Sequence, residues 1–266
     1  MAEELRVALV QRASSTDPAE NRAALADLQA DPALDADLVV LPEAFARDFG
    51  KPGEDVSGDA EPLDGPFAEA VAKLAGQDRT VVAGMFESSD DPARPYNTLV
   101  VRGRTESAYR KIHLYDSFGY RESDRLTAGP WQPTVVEVEG WQVGLMTCYD
   151  LRFPELARAL VDAGAEVLVV PAAWVPGRDE AEHARKVDHW RTLARARAIE
   201  NTTYVVAVGQ AAPRYTGHSL VVDPDGGLLA DPGPDPAVVT AVLSRPALVR
   251  ARSTNPSLSN RRHLAG

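Results

Sequence analysis

Residues 143–156 read VGLMTCYDLRFPEL, and the order of residue types in this stretch points to the fold class. Val143–Thr147 is a short apolar run with β-branched ends, which reads as a strand. A turn follows, and Pro154 opens the run Leu156–Val161 in the place proline takes at the first turn of a helix. A strand that ends in a turn and feeds a helix is the building unit of α/β proteins. Cys148 stands at the junction, at the carboxyl end of the strand, where open α/β sheets build their sites and where a helix start favours thiolate. A buried cysteine that merely closes a strand is the competing reading.

Outward from this unit, short β-branched runs recur at Val7–Val10, Leu38–Leu41, Thr80–Phe86, Thr98–Val101, Val135–Val138, Val167–Val170, Tyr204–Val208, Ser219–Val222 and Val238–Leu243, all predicted strands. Pro18–Ala30, Gly65–Gly76, Pro154–Gly164 and Glu182–Asn201 are predicted helices, several with proline near the start and glycine near the end. Two strand pairs, within Gly84–Arg102 and Thr134–Cys148, are separated by turns alone, so the sheet is mixed rather than plainly doubly wound. The order strand, helix, strand, helix, paired strands occurs before Arg110 and again after Val135. Two similar halves with their sheets packed face to face are therefore expected. No Ser/Gly-rich linker divides the chain, so residues 1–266 read as a single domain, with a C-terminal arm from about 245. Asp90–Pro95 and Asp231–Pro236 are expected surface loops.

With 44% hydrophobic and 25% charged residues, the chain has the composition of a folded soluble protein. A formal charge of −11 argues against a general nucleic-acid or anionic-membrane surface, which needs clustered Lys and Arg. The arginines of 185–197 are interleaved with acids, and those of 245–262 read as part of the terminal arm. The opening MAEELRVALVQRA lacks the basic start and long apolar core of a secretory signal, and no run is long enough to cross a bilayer. A cytoplasmic protein with no membrane partner is expected. The single cysteine excludes an internal disulfide and a Cys-rich zinc site. His183 and His189 stand six apart rather than four, and no Gly-rich phosphate loop follows a strand, so neither metal nor cofactor is expected.

Two more residues stand where chemistry is built. Glu43, in DADLVVLPEAFARDFG, directly follows the apolar run Leu38–Leu41, and partial burial there would make its carboxylate a usable base. A helix-start acid facing the N-terminal dipole is its plainer reading. Lys111, in ESAYRKIHLYD, follows a short possible strand amid Tyr109, Ile112, Leu114 and Tyr115, and a held ammonium can stabilise an oxyanion. Taken alone it reads as a surface lysine. Together, Cys148, Glu43 and Lys111 match one chemical need: a nucleophile, a carboxylate that shuttles its proton, and a fixed cation facing a tetrahedral intermediate.

LPEAF, YRKIHLYD and CYDLRFPEL occur in that order, and with them the sequence resembles the nitrilase, or carbon–nitrogen hydrolase, superfamily. The resemblance extends through RESDRLTAGP, VPAAW, HWRTLARARAIENTTYVVAVGQ and GHSLVVDPDG, and so covers Val7 to Val242. It implies an α/β fold, a four-layer α–β–β–α sandwich of two packed mixed sheets, with a homodimer or larger homo-oligomer formed through helices. It also implies Cys148 as nucleophile, Glu43 as general base, Lys111 with the Tyr149 backbone N–H as oxyanion stabilisers, and Glu122 of YRESDRL as the second glutamate that positions lysine and substrate. The word CYDLRFPE resembles the Nit, or omega-amidase, branch rather than true nitrilases, which continue Cys-Trp-Glu.

That branch implies hydrolysis of a small carboxylate-bearing amide, such as a 2-oxo dicarboxylic acid amide or deaminated glutathione, to acid and ammonia through a cysteine thioester. Arg152, at a position that also carries arginine in carbamoyl-amino-acid hydrolases, either grips a substrate carboxylate or pairs with Glu155 or Asp150. Trp174 and Phe118 are candidate pocket walls. VPGRDEAEHARKVD, residues 175–188, is longer and more charged than the branch pattern and would border the site as specificity element, lid or solvated excursion. N-carbamoyl-amino-acid hydrolysis by the same three residues is the rival activity. A catalytically silent binding protein on the same fold is the rival of another class.

Overall fold

The central strands Leu38–Val40, Thr80–Glu87, Val167–Ala172 and Tyr204–Gly209 are buried along their whole length, as they must be when a sheet lies between two other layers. The computed structural model describes residues 2–262. The first half runs β1 (Glu4–Gln11), α1 (Pro18–Leu28), β2 (Leu38–Val40), α2 (Pro66–Ala75), β3 (Thr80–Glu87), β4 (Tyr96–Gly103) and β5 (Ser107–Arg110). A two-stranded hairpin, β6 (Asp116–Ser117) and β7 (Tyr120–Arg121), links it to the second half. There β8 (Val135–Val138), β9 (Trp141–Leu145), α3 (Pro154–Asp162), β10 (Val167–Ala172), α4 (Glu180–Asn201), β11 (Tyr204–Gly209), β12 (Leu220–Val222) and β13 (Leu228–Ala230) follow in turn, and β14 (Ala237–Ser244) and α5 (Arg245–Thr254) close the chain.

One sheet has the order β14-β1-β2-β3-β4-β5 and the other β13-β12-β11-β10-β9-β8. Each has a parallel core, β1-β2-β3 and β9-β10-β11, flanked by antiparallel strands. The two expected halves are thus present, with one exchange. In the second sheet the strand beside β9 is its own chain neighbour β8. The matching place beside β1 is taken by β14 from the far end of the chain, in register from Glu4 opposite Ser244 to Gln11 opposite Ala237.

Alternation along the strands sorts side chains into layers. Val7, Leu9, Leu38, Val40 and Val82 join Val143, Leu145, Val167 and Val169 in one buried cluster between the sheets. Their alternates Ala8, Val10, Val39, Val81 and Ala83 pack under Leu25 and Leu28 of α1 and Phe67, Val71 and Leu74 of α2. Leu156 and Leu160 of α3 and Trp190 and Ala194 of α4 join the cluster that holds the second sheet, which completes an α–β–β–α stack. Burying a Leu or Phe of this kind contributes about 1.5–3 kcal/mol.

The stretch from about 245 and the charged segment 175–188 both contain helix. The stretch read as an arm from about 245 begins as helix α5, capped by the Ser244 hydroxyl, with Leu248 and Ala251 buried and Arg252 bonded to the Thr202 and Ala165 carbonyls. Its last residues, 263–266, lie outside the described range. Of the charged segment 175–188, only Val175–Asp179 is irregular: the Asp179 side chain accepts from the Glu182 N–H at 2.7 Å and starts α4 at Glu180. Among the described residues no helix is long and apolar enough to cross a membrane.

Candidate active site

The parallel strands of both sheets end on one side, and the chain just beyond those ends carries the reactive groups. Glu43 lies past β2, Cys148 past β9, Ala173 past β10 and Gln210 past β11, while Lys111 follows β5. Bonds across the sandwich lock these ends together. The Ala173 N–H donates to Glu43 Oε2 at 2.7 Å, and Gln210 Nε2 donates to the Glu43 carbonyl at 2.9 Å.

Both the acid and the thiol sit on tight turns. Ala44, next to Glu43, has φ +54°, and Cys148 itself has φ +46°. An L-residue in this left-handed region is strained and persists only where surrounding contacts over-determine it. For Cys148 the strain turns the chain from β9 into a short 3-10 turn, Cys148–Arg152, and leaves the thiol 8% exposed. The Tyr149 N–H belongs to the first residues of that turn, whose donors have no acceptor within it.

Lys111, 2% exposed, is held by both glutamates: its ammonium lies 2.9 Å from Glu43 Oε1 and 2.8 and 3.1 Å from the two Glu122 oxygens. Glu122 is fixed in turn by the Tyr115 N–H, 2.6 Å from Oε2. Burial alone would pull the ammonium down, but Glu122 and then Glu43 outweigh it and hold Lys111 well above its ordinary range. The lysine therefore stays charged. Cys148 shows the opposite balance: burial first and the Glu43 carboxylate second push the thiol well up, and Lys111 offsets this only in part. The resting site holds a neutral thiol beside a carboxylate placed to accept its proton.

The four candidate catalytic residues are thus brought together. Asn97, on β4, also belongs to the site, although its sequence context does not single it out: its side-chain amide donates to Glu43 Oε1 at 2.8 Å and Glu122 Oε1 at 3.3 Å, and its backbone carbonyl accepts from the Lys111 backbone N–H. The one signal for it is an amide in an otherwise apolar strand, YNTLVV. Asp150, which the sequence offers only as a possible partner for Arg152, is fully buried and bonds instead to Tyr109, His113 and Thr147.

The candidate pocket residues form a closed rim. The Arg152 guanidinium lies 5.9 Å from the Tyr149 ring and 5.0 Å from the Trp174 ring. Tyr149 meets Tyr115 edge-on at 5.0 Å, and Tyr115 stacks with Phe118 at 6.2 Å. Lys186 closes the circuit from α4: its ammonium is 5.6 Å from Phe118, and its carbonyl accepts the Trp174 indole N–H at 3.0 Å. The charged segment thus supplies part of the rim. Burial, followed by the nearby Cys148, pushes the Tyr115 phenol up to about 12. Phe118, 67% exposed on the β6–β7 turn, stands at the outer edge and is not an enclosed wall. Arg152 makes no ion pair with Glu155 or Asp150, and its Nε is buried without an acceptor. Among the described residues no cluster of His, Cys, Asp and Glu has a metal-binding arrangement.

Residues 6–253 match the family model described as carbon–nitrogen hydrolase. The chain belongs to that family. The carbon–nitrogen hydrolase is 40% identical over 231 residues to a deaminated glutathione amidase of Escherichia coli O157:H7, with 86% of each chain covered. It is 35% identical to the enzyme of the same name from Bos taurus, over 96% of this chain and 81% of that one. Among solved structures, a CN-hydrolase superfamily protein from Xanthomonas campestris, with an arsenic adduct in its active site, superposes with a TM-score of 0.86 at 30% identity over the whole of both chains. Nit3 of Saccharomyces cerevisiae, a member of branch 10 of the nitrilase superfamily, gives 0.81 at 28% identity, covering 99% of this chain and 98% of that one. The hydrolase is therefore an amide-cleaving enzyme of the Nit-like branch, and the silent binding protein is set aside.

Proposed function

We propose that this enzyme hydrolyses a small amide bearing a carboxylate remote from the scissile bond, with Cys148 as nucleophile, Glu43 as general base, Lys111 as oxyanion cation and Glu122 as the group that positions the lysine. The observation that carries the reading is the joint burial of a neutral thiol, a carboxylate and a charged ammonium beneath a rim that holds Arg152, whose Nε has no acceptor among the described residues.

Glu43 takes the thiol proton as sulfur attacks the carbonyl carbon, and the negative charge passes to the carbonyl oxygen. Lys111 and the Tyr149 N–H face that oxygen; loss of one such donor typically costs about 10²–10³ in rate. Because Glu122 and Glu43 hold the lysine protonated, it stabilises the oxyanion by charge and gives up no proton. Glu43 then protonates the departing nitrogen, which leaves as ammonia from a primary amide or as an amine from a secondary one. A thioester remains on Cys148. Water deprotonated by Glu43 attacks it, and the acid departs as the thiol is restored.

Arg152 supplies the carboxylate recognition. A guanidinium matches a carboxylate with two parallel hydrogen bonds, and this one lies between Tyr149 and Trp174, with its Nε left without an acceptor among the described residues. The amidase names of relatives at 35–40% identity favour amides over N-carbamoyl compounds as substrates.

The test is product release from purified enzyme given 2-oxoglutaramate, deaminated glutathione, plain aliphatic amides, a nitrile and N-carbamoyl amino acids. Turnover of the carboxylate-bearing amides, lost in Cys148→Ala, is expected. Carbon dioxide and ammonia from the carbamoyl compounds alone would assign the rival activity, and full turnover by Cys148→Ala would refute the nucleophile.

A further inference from the structure

We propose that Asp150 is a positioning residue for the reaction: its buried carboxylate ties the strained turn carrying Cys148 to the segment carrying Lys111, and so sets the separation of thiol and ammonium. The proposal rests on the roles given above to those two groups.

Asp150 is fully buried, and each of its oxygens takes two donors. Oδ2 accepts from the Tyr109 hydroxyl at 2.7 Å and the Thr147 N–H at 2.9 Å; Oδ1 accepts from the His113 N–H at 3.0 Å and lies 2.7 Å from His113 Nδ1. Tyr109 and His113 bracket Lys111, two residues away on each side, and Thr147 immediately precedes Cys148. One carboxylate therefore bonds to both reacting segments. A second contact reinforces the join: the His113 ring stacks on Phe153 at 3.7 Å, with planes 6° apart, and Phe153 ends the turn that Cys148 begins.

Apolar side chains could close this space without the cost of burying a charge. What they lack is direction. Four charge-assisted hydrogen bonds fix where each segment lies along the other, and a strained φ of +46° at Cys148 needs such a restraint to persist. Lys111 already has a fixed place through Glu43 and Glu122, so the Asp150 bonds locate the thiol relative to a settled cation.

Asp150→Asn keeps the shape but turns an NH₂ group toward a backbone N–H, that of Thr147 or that of His113, whichever way the amide lies. Tyr109→Phe removes a single donor and keeps the ring. For both variants kcat and KM are measured on the amide that the wild type turns over fastest, with the urea midpoint and the rate of iodoacetamide alkylation of the sole cysteine, which needs no substrate. The expected result for Asp150→Asn is a kcat lower by about 10²-fold with KM within about threefold, and alkylation slowed in parallel. Tyr109→Phe should lose about tenfold in kcat with its urea midpoint little changed.

Wild-type kcat and alkylation in folded Asp150→Asn would overturn the proposal. If that variant does not fold, wild-type kcat and alkylation in Tyr109→Phe would overturn it. A loss confined to KM would do so too, because it would assign Asp150 to substrate binding. Cys148→Ala, carried alongside, separates the two levels of failure: turnover without the thiol would sink the nucleophile assignment, whereas normal alkylation of the Asp150 and Tyr109 variants sinks only the positioning role.

Discussion

Gly84 offers a way to move Glu43, the proposed general base, without touching it. It lies in β3 where the Glu43 turn crosses the strand, and a Cβ built on it would come 2.4 Å from the Ala44 nitrogen and 2.7 Å from Glu43 Cα. Ordinary van der Waals contact begins near 3.4 Å, so Gly84→Ala has to drive the turn off the strand by about 1 Å. Two backbone bonds hold the turn down, from Gly84 N–H to the Pro42 carbonyl at 3.2 Å and from Ala46 N–H to the Gly84 carbonyl at 3.0 Å. A 1 Å retreat stretches these bonds. It also carries the Glu43 carboxylate out of reach of Lys111, Asn97 and the Ala173 N–H, now at 2.9, 2.8 and 2.7 Å. Misplacing a reacting group by about 1 Å costs about 10²-fold in rate, equivalent to about 2.7 kcal/mol of barrier. Overpacking should also lower stability by about 1–3 kcal/mol. Steady-state kcat and the urea midpoint read both effects. A Gly84→Ala enzyme that folds and keeps kcat within about twofold of wild type would refute the argument that this backbone contact places the base.

Two further outcomes are expected. Burial and Glu43 raise the folded Cys148 thiol well above its unfolded value of about 8.5, so as pH rises past that value the folded protein keeps a proton that the unfolded chain loses. Its contribution is fully present below about pH 8.5 and lost above, so the urea midpoint should fall more steeply between about pH 8 and 10 in wild type than in Cys148→Ala; equal slopes would show that the thiol is not raised. Arg152→Lys keeps the charge but loses the two-pronged geometry, so KM for a carboxylate-bearing amide should rise by about tenfold with kcat nearly unchanged, and an unaltered KM would remove Arg152 from substrate recognition.

Much of this architecture is legible in the sequence. The runs at Thr80–Phe86 and Tyr204–Val208 read as strands and are strands, and Pro154 marks the start of α3. The place of β14 is not legible. The β-branched run Val238–Leu243 reads as a strand, but nothing local says that it pairs with β1 at the opposite end of the chain. The hairpin β6–β7 and the strand β13 are too short to leave a period, and their pairing is set by neighbours rather than propensity.

For the site, sequence alone supplied the candidate residues. One thiol, one carboxylate and one amine, each just past a predicted strand, allowed a single coherent chemistry, and their flanking words named the family. The tertiary structure decided everything that depends on who stands beside whom. Asn97 reads as a surface-type amide until β4 places it against two carboxylates, and Asp150 reads as a partner for Arg152 until folding turns it toward Tyr109 and His113. The reason is physical: chemical identity is local to the residue, whereas charge state, strain and hydrogen-bond partners depend on burial and on contacts between segments 11 to 167 residues apart. Such contacts are made only when both sheets close over the same end of the sandwich.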